Sequence, residues 1–417
     1  MSKPPVYVFA DGFPSGQLFR SDREDGLFVF GYEREASEHE AVSLTMPVRP
    51  EQYESRRGLL PIFEMNLPEG TLKGRLHQQF AKSIPQFDDL DLLSIVGASQ
   101  IGRLRHSLSS TLDETVPAED LREILTYRGS EDLFSYLLDR FARFSGISGM
   151  QPKVLVRDAS LRKLAHHGAT HIVKSFDAKE FPELAANEFI CTQAAAAAGI
   201  HTVRAELSEN RQLLIVDRFD LLPSGKYVGI EDFCVLNALS ASERYDGSYE
   251  EIAKRLGQFA SPEILGEARE QYALMVAFAC AIENGDAHLK NFSVLYDDPE
   301  GVVRLAPAYD MVTTTPYIPK DTLALTLEGS KAFPNRKRLL RFVRKVTGKT
   351  EAAANSLLDQ VAVGTSHAIE LAHQYAREHD VKDFGERLSR AFERGLSRLS
   401  ESPVVSVPDH LDGGPAP

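Results

Sequence analysis

The segment 284–292 concentrates polar side chains that can carry out chemistry. Asp286 and Asn291 stand five residues apart, which is the spacing of a kinase-type catalytic loop. In such a loop the aspartate accepts the proton of the attacking hydroxyl, and the asparagine holds a magnesium ion. Asp310 follows 19 residues after Asn291 and is a second acid suited to bridging magnesium and nucleotide phosphates. Two interpretations remain at this point, a phosphoryl-transfer site and a turn rich in capping side chains.

Upstream residues supply candidates for the nucleotide-binding half of such a site. Lys174 ends a predicted strand, as does the phosphate-contacting lysine of kinases, and Glu188 lies 14 residues further on in the next predicted helix. The glycine-containing loop 146–153 precedes that strand, which is the order expected for a loop that covers phosphates. The strand ending at Val216 continues into 217–219, which matches a hinge whose backbone holds adenine. The order of these features, more than any one of them, indicates a kinase.

The hydrophobic pattern predicts the elements that carry these residues. The first hundred residues form short apolar runs with turn signals at Asp11-Gly12 and Ser15-Gly16, which are typical of β-hairpins. Length and β-branching predict further strands at 154–156, 171–174 and 213–216. A helix is predicted over 183–198, with Gly199 as its C-terminal signal. Beyond residue 231 helices predominate, apart from a strand-rich stretch at 292–305.

Charge and composition exclude several other classes of protein. The chain has 47 basic and 60 acidic residues and a net charge of −13, which disfavours a surface that coats nucleic acid or binds anionic membranes. The most apolar helical stretch, 272–282, is about half as long as the roughly 20 residues of a membrane helix. Three cysteines lie far apart without a CxxC pair, which favours a reducing compartment. We therefore expect a cytoplasmic protein without membrane attachment.

Taken together, these motifs resemble those of HipA-family serine/threonine kinases, the toxins of bacterial toxin–antitoxin modules. The catalytic segment contains neither HRD nor DFG, so the chain is not an ordinary eukaryotic-type protein kinase, and its D-x-H-x-x-N pattern is closer to the phosphoinositide-kinase style. The resemblance covers almost the whole chain. It rests on Asn66-Leu67-Pro68-Glu69-Gly70, the loop 147–153, Ile172-Val173-Lys174, Asn187-Glu188-Phe189, Asp217-Arg218-Phe219-Asp220, Glu231-Asp232, the loop 286–293 and Tyr309-Asp310.

The resemblance implies a role for each matching residue. Asp286 would be the catalytic base, Lys290 would stabilise the transferring phosphoryl group, and His288 would brace the loop. Asn291 and Asp310 would hold Mg²⁺, with ATP as the co-substrate. ATP would be bound by residues of the glycine loop, the following strand and helix, and the hinge: Ser148, Gly149, Lys153, Lys174, Glu188, Asp217 and Phe219.

The glycine loop departs from the family pattern at one position. HipA-like loops often read Ser-Ile-x-Gly, and the first serine is autophosphorylated. Here Gly146 occupies that position. Ser148 is therefore the first candidate for autophosphorylation, and Ser145 is the second.

The fold implied by the resemblance is α+β. A two-lobed protein-kinase-like core, with a smaller α/β N-lobe and a larger helical C-lobe, would follow an N-terminal β-rich subdomain. The expected boundaries are 1–108 for the β-rich subdomain, 109–235 for the N-lobe with its glycine loop and hinge, and 236–402 for the helical C-lobe with the catalytic loop. The remaining segment, 403–417, is expected to be a disordered tail.

The activity implied is transfer of the ATP γ-phosphoryl group to a serine or threonine hydroxyl of a cytosolic protein. Substrates in the family include aminoacyl-tRNA synthetases, whose phosphorylation inhibits translation and growth. The implied partner is a HipB-like helix-turn-helix antitoxin, which neutralises the kinase and carries it to operator DNA. The acidic net charge agrees with DNA contact through that partner alone.

Two other functions remain open at this point. A small-molecule kinase of the aminoglycoside or sugar type would share the same Asp–Asn–Asp pattern. A kinase-like corepressor without catalysis would act through its partner alone. The presence of Lys174, Asp286, Asn291 and Asp310 argues against the corepressor, because a scaffold has no need for all four.

Overall fold

The computed structural model describes residues 3–400 apart from 23, 25, 83, 85, 113–114, 130–131 and 162–166. The segment 403–417, expected to be disordered, lies outside these residues. The described chain forms three β-sheets, which are followed and flanked by helices. This arrangement, with a β-sheet region at the N-terminus and a helical C-terminal part, confirms the predicted α+β class.

The first sheet is antiparallel, and its strand order is β4-β3-β2-β1-β5. Its strands are β1 (Val6–Ala10), β2 (Phe13–Arg20), β3 (Phe28–Tyr32), β4 (Tyr53–Ser55) and β5 (Leu104–Ser107). Asp11 and Gly12 join β1 to β2 as predicted, because Ala10 pairs directly with Phe13. The turn predicted at Ser15-Gly16 is wrong. Gly16 lies inside β2 and pairs with Val8 on one side and Tyr32 on the other.

The second sheet has the order β6-β7-β8-β10-β9, and the third has the order β11-β12-β13. Their strands are β6 (Ala118–Glu119), β7 (Lys153–Asp158), β8 (His171–Ser175), β9 (Ala205–Leu207), β10 (Leu213–Asp217), β11 (Gly229–Asp232), β12 (Ser293–Tyr296) and β13 (Val303–Leu305). Only the short β6–β7 pair is parallel among these described strands. The register of β7 and β8 places Lys153 opposite Lys174, so two predicted phosphate-binding residues are neighbours.

Helices connect the sheets and form most of the chain after residue 233. They are α1 (Pro61–Glu64), α2 (Gly70–Phe80), α3 (Asp89–Val96), α4 (Leu121–Leu125), α5 (Leu133–Phe141), α6 (Leu184–Ala197), α7 (Phe233–Leu236), α8 (Tyr249–Phe259), α9 (Leu265–Ala281), α10 (Arg336–Thr347), α11 (Glu351–His379) and α12 (Lys382–Ser400). Helix α6 agrees with the helix predicted over 183–198. Among the described helices, none is both long enough and apolar enough to span a membrane.

Two hydrophobic clusters hold these elements together. One joins the first two sheets and includes Phe30, Phe63 and Leu155. The other lies among the C-terminal helices and includes Tyr272 and Phe392. Because the first cluster continues across residue 108, the N-terminal unit and the second sheet share one core. That shared core brings residues of the N-terminal unit close to the functional site.

Candidate active site

One cavity lies between the second sheet, the third sheet and the loop that follows α9. Its walls include most of the residues predicted for the site: Ser148, Gly149, Lys153, Lys174, Glu188, Phe219, Asp286, His288, Lys290, Asn291 and Asp310. These residues come from distant parts of the chain, so the tertiary fold assembles them. The cavity is therefore the candidate active site.

Lys174 is the centre of a buried ion-pair network in this cavity. It extends from β8, and its Nζ lies 2.5 Å from a carboxylate oxygen of Glu188 on α6 and also contacts the carboxylate of Asp310. Burial alone would lower the pKa of Lys174, but the two carboxylates raise it. Burial alone would likewise raise the pKa of Asp310, but Lys174 and then Lys153 hold it below its usual range. Lys174 and Asp310 are therefore both charged at neutral pH.

Lys153 differs from Lys174, because the charges of Asp310 and Glu188 act on its buried ammonium without either carboxylate forming an ion pair with it. No ion pair involving Lys153 is found among the described residues. Burial lowers its pKa. Gly149, with a φ of +121°, lies so close that a Cβ built there would stand 2.4 Å from Lys153 Nζ. The glycine loop thus approaches a cation whose charge is open to an anionic ligand.

The loop after α9 presents Asp286 at the mouth of the cavity. The side-chain oxygen of Asn284 accepts a hydrogen bond from the Asp286 backbone N–H at 2.9 Å, and the Tyr245 hydroxyl donates to Asp286 Oδ1 at 2.8 Å. The carboxylate reaches solvent, yet the surrounding walls desolvate it and raise its pKa. The charge of Asp310 adds to this rise, whereas the Tyr245 hydrogen bond opposes it. A carboxylate with a raised pKa is suited to accepting a proton.

His288 and Lys290 stabilise the same loop. The His288 backbone N–H donates to Asn291 Oδ1 at 3.0 Å, which fixes the asparagine side chain. Burial lowers the pKa of the His288 imidazole to about 4, so the ring is neutral at pH 7. Lys290 Nζ donates to the Met65 carbonyl at 3.0 Å and lies 3.9 Å from Asp232 Oδ2. Lys290 therefore links the loop to the N-terminal unit.

Asn291 and Asp310 are suitable ligands for a magnesium ion. Both line the cavity, and amide and carboxylate oxygens are the donors that Mg²⁺ prefers. Mg²⁺ in kinase sites keeps only one or two protein carboxylates, because phosphate and water complete its shell. The residues present therefore fit the ion.

Two predicted site residues lie elsewhere. Asp217 is not part of the cavity wall; its carboxylate lies 3.3 Å from His171 Nε2, and its backbone N–H donates to the Arg204 carbonyl. Ser145 is fully buried, donates to the Phe141 carbonyl and accepts from the Leu155 N–H. The structure thus contradicts the interpretation of Ser145 as an accessible acceptor, because its hydroxyl is occupied within the core.

Three residues near the cavity were missed as candidates by sequence reasoning. Glu69, from the N-terminal unit, accepts hydrogen bonds from Ser148 at 2.6 Å and from Arg244 at 2.8 Å. Arg244 and Tyr245 line the cavity. Glu69 belongs to the motif 66–70, which supported the family resemblance, and that motif was the signal that could have identified Glu69 as a site residue. Nothing in the sequence marked Arg244 or Tyr245, because neither has a diagnostic spacing to the catalytic segment.

The ionisation of Glu69 follows from these contacts. Burial alone would raise the pKa of Glu69, but the hydrogen bonds from Ser148 and Arg244 and the charge of Lys290 hold it below its usual range. Lys290 Nζ lies 3.9 Å from Glu69 Oε1. Glu69 is therefore a negative group among residues that border the cavity.

Family models and curated relatives match both the N-terminal and the C-terminal part of the chain. The model of the HipA N-terminal domain matches residues 6–107, and that of the HipA-like C-terminal domain matches residues 145–369. A Sinorhizobium fredii (strain NBRC 101917 / NGR234) protein named "Putative kinase Y4mE" is 28% identical over 334 residues, which cover 74% of this chain and 77% of the relative. From the same strain, "Putative kinase Y4dM" is 38% identical over 122 residues, 29% of this chain and 28% of that relative's length.

A solved structure shares the fold over nearly the full chain. It is a chain of the Shewanella oneidensis MR-1 toxin–antitoxin complex of HipA, HipB and operator DNA. The match has a TM-score of 0.67 at 17% identity and covers 94% of this chain and 97% of that chain. This likeness shows a common architecture.

Proposed function

The chain belongs to the HipA family, and on this basis we propose that it is an ATP-dependent serine/threonine protein kinase that acts as the toxin of a toxin–antitoxin pair. The observation that carries the proposal is the convergence of Lys153, Lys174, Asp286, Asn291 and Asp310 on one cavity. The kinase names of two relatives support it. We also propose the domain boundaries expected from the resemblance, which lie after residues 108, 235 and 402.

The proposed reaction uses the residues of the cavity in distinct roles. Lys153 and Lys174 bind the nucleotide phosphates. Asp286 accepts the proton of the substrate hydroxyl while the hydroxyl oxygen attacks the γ-phosphorus. The bond between the γ-phosphorus and the bridging oxygen breaks, and ADP leaves. Lys290 neutralises charge on the transferring group. Mg²⁺, held by Asn291 and Asp310, would neutralise phosphate charge when bound.

The proposed partners are a protein substrate and an antitoxin. The substrate class expected for the family is an aminoacyl-tRNA synthetase, and its phosphorylation would inhibit translation and growth. The proposed antitoxin is a HipB-like helix-turn-helix protein that carries this acidic chain to operator DNA. The Shewanella oneidensis complex supports this assignment, since it contains HipA, HipB and operator DNA.

The serine proposed for autophosphorylation is Ser148. It lines the cavity beside Gly149, whereas the Ser145 hydroxyl is buried and hydrogen-bonded. Incubation with Mg-ATP should place phosphate on the peptide 145–153 at Ser148 in the wild type and leave it absent in Asp286→Asn. Mass spectrometry distinguishes the two serines. Phosphate on the peptide in the Asp286→Asn variant would contradict self-modification.

The activity itself is tested with γ-labelled ATP. Purified chain and Mg-ATP should label a protein in a cell extract, and induced expression should arrest growth unless the antitoxin is co-expressed. Label transferred only to added aminoglycosides or sugars would instead identify a small-molecule kinase. ATP binding without any transfer would contradict the enzyme assignment.

A further inference from the structure

Glu69 occupies a helix-capping position without capping its helix. It is the residue before α2, at the position where a side chain usually accepts hydrogen bonds from the first helical N–H groups, and Ser, Thr, Asp and Asn are preferred there. The Glu69 side chain makes no such bond. It is directed instead to Ser148 and Arg244, so its contacts lie outside its own helix.

The backbone around Glu69 also contacts the glycine loop. Gly70 has a φ of +51°, and a Cβ built there would stand 2.6 Å from the Met150 carbonyl oxygen. The Met65 carbonyl, four residues before Glu69, accepts the hydrogen bond from Lys290. The segment 65–70 of the N-terminal unit is therefore packed between the glycine loop and the catalytic loop.

From this geometry we propose that Glu69 is a positioning residue that holds the glycine loop in place over the cavity. Its Oε1 binds the Ser148 hydroxyl at 2.6 Å, while its Oε2 binds Arg244 at 2.8 Å, next to Tyr245, the hydrogen-bond partner of Asp286. The Glu69 carboxylate thus connects the loop expected to cover the phosphates with the residues beside Asp286. The N-terminal unit is in this way part of the active site.

The contact also explains how a modified Ser148 would act on the loop. This step rests on the proposed kinase function. Phosphorylated Ser148 can no longer donate a hydrogen bond to Glu69, and its phosphoryl group carries nearly two negative charges at pH 7. That charge would face the Glu69 carboxylate. The contact that holds the loop against Glu69 would then be lost.

The first test needs no nucleotide. Met150 is two-thirds exposed and lies on the glycine loop, whereas the three cysteines of the chain are buried. A fluorophore attached to the cysteine of Met150→Cys therefore labels the loop selectively in the full chain. Glu69→Ala and Ser148→Ala should each lower the anisotropy of the probe. The double variant should lower it no further than Glu69→Ala does, because both single variants remove the hydrogen bond between Ser148 and Glu69. Glu64→Gln is the matched control, since Glu64 ends α1 just before this segment and its carboxylate accepts only from the Ala241 N–H at 3.2 Å in the described contacts.

The second test measures the kinetics of the same unlabelled variants. Glu69→Ala should raise the KM for ATP about tenfold, which is the factor expected for loss of one hydrogen bond to a charged group, and should change kcat less. Glu69→Gln keeps an acceptor for Ser148 and should raise KM less than Glu69→Ala does. Glu64→Gln should leave KM and kcat unchanged.

The outcomes separate this proposal from the kinase function. Unchanged anisotropy in both Glu69→Ala and Ser148→Ala, or effects that add fully in the double variant, would overturn the positioning role even if the wild type transfers phosphate. A wild type without ATP turnover would overturn the kinase function, while the anisotropy series would still report on the contact. If Glu69→Ala fails to fold, Ser148→Ala and Glu69→Gln test the same contact by the same measurement.

Discussion

Asp310 and Asp286 line the same cavity but have opposite electrostatic environments. Asp310 contacts the Lys174 ammonium, which holds its pKa below the usual range despite burial. Asp286 is bonded to the neutral hydroxyl of Tyr245, and desolvation raises its pKa. An aspartate side chain is thus kept ionised at position 310 and made more basic at position 286.

This difference agrees with the division of roles in the proposed phosphoryl transfer. A permanently ionised carboxylate suits a metal ligand, because a proton would compete with the ion. A carboxylate of raised pKa suits a general base, because it takes up a proton more readily. The groups beside the two aspartates therefore support the proposed assignment of Asp310 to metal binding and of Asp286 to proton transfer.

The largest effect is expected for Asp286→Asn. Loss of a general base should reduce phosphoryl transfer about 10²- to 10⁴-fold, while the melting temperature and the dissociation constant for Mg-ATP remain near those of the wild type. Radiolabel transfer, calorimetry and thermal unfolding measure the three quantities. Growth arrest by cells that express this variant would contradict the role of Asp286.

Asp310→Ala should act through the metal. The dissociation constant for Mg-ATP should rise about tenfold or more, whereas binding of metal-free ATP should change little, because Lys174 keeps Glu188 as its partner. Calorimetry with and without magnesium measures both constants. Equal losses in the two conditions would assign Asp310 a structural role.

Glu231 extends the comparison to a carboxylate outside the cavity. It is fully buried and accepts hydrogen bonds from Ser43, the Leu44 N–H and Tyr296. Burial raises its pKa from 4.5 to about 7. The folded state therefore binds a proton more tightly than the unfolded state does, so the stability contributed by Glu231 is present below pH 4.5 and is lost as the pH rises through about 7.

Glu231→Gln should remove this pH dependence. Each pKa unit is worth about 1.4 kcal/mol, so the wild type should lose about 3 kcal/mol of unfolding free energy between the acidic and the neutral end of this range. Glu231→Gln should lose much less. Urea unfolding at several pH values measures the two profiles, with Glu300→Gln, an exposed glutamate, as the control. Parallel profiles for wild type and Glu231→Gln would contradict the raised pKa.

Tyr245→Phe should give the smallest change in rate but a diagnostic change in its pH profile. The Tyr245 hydrogen bond lowers the pKa of Asp286, so its loss should raise that pKa further. Because the base must be deprotonated to act, the acidic limb of kcat/KM should move to higher pH, with the plateau rate reduced about threefold or less. A limb that stays in place or moves to lower pH would show that Tyr245 does not set the basicity of Asp286.

The residues predicted correctly to lie together are those linked by local structure. Asp286, His288, Lys290 and Asn291 belong to one loop, so their spacing alone places them on the same wall. Asp217 is not in the cavity wall, because strand β10 directs its side chain toward His171, and its contact with ATP stays a prediction. The sequence pattern located the strand but not the direction of its last residue.

The sequence by itself predicted most of the strands and helices, because hydrophobic periodicity carries that information. The resemblance of its motifs predicted the family and the α+β class, and spacing within one loop predicted which residues of that loop lie together. The tertiary structure alone decided which serine reaches the cavity and which distant groups complete it. Ser148 and Glu69 are 79 residues apart, and Glu69 and Arg244 are 175 apart. Their contact depends on a core shared by two sheets, and no local pattern records how two sheets pack.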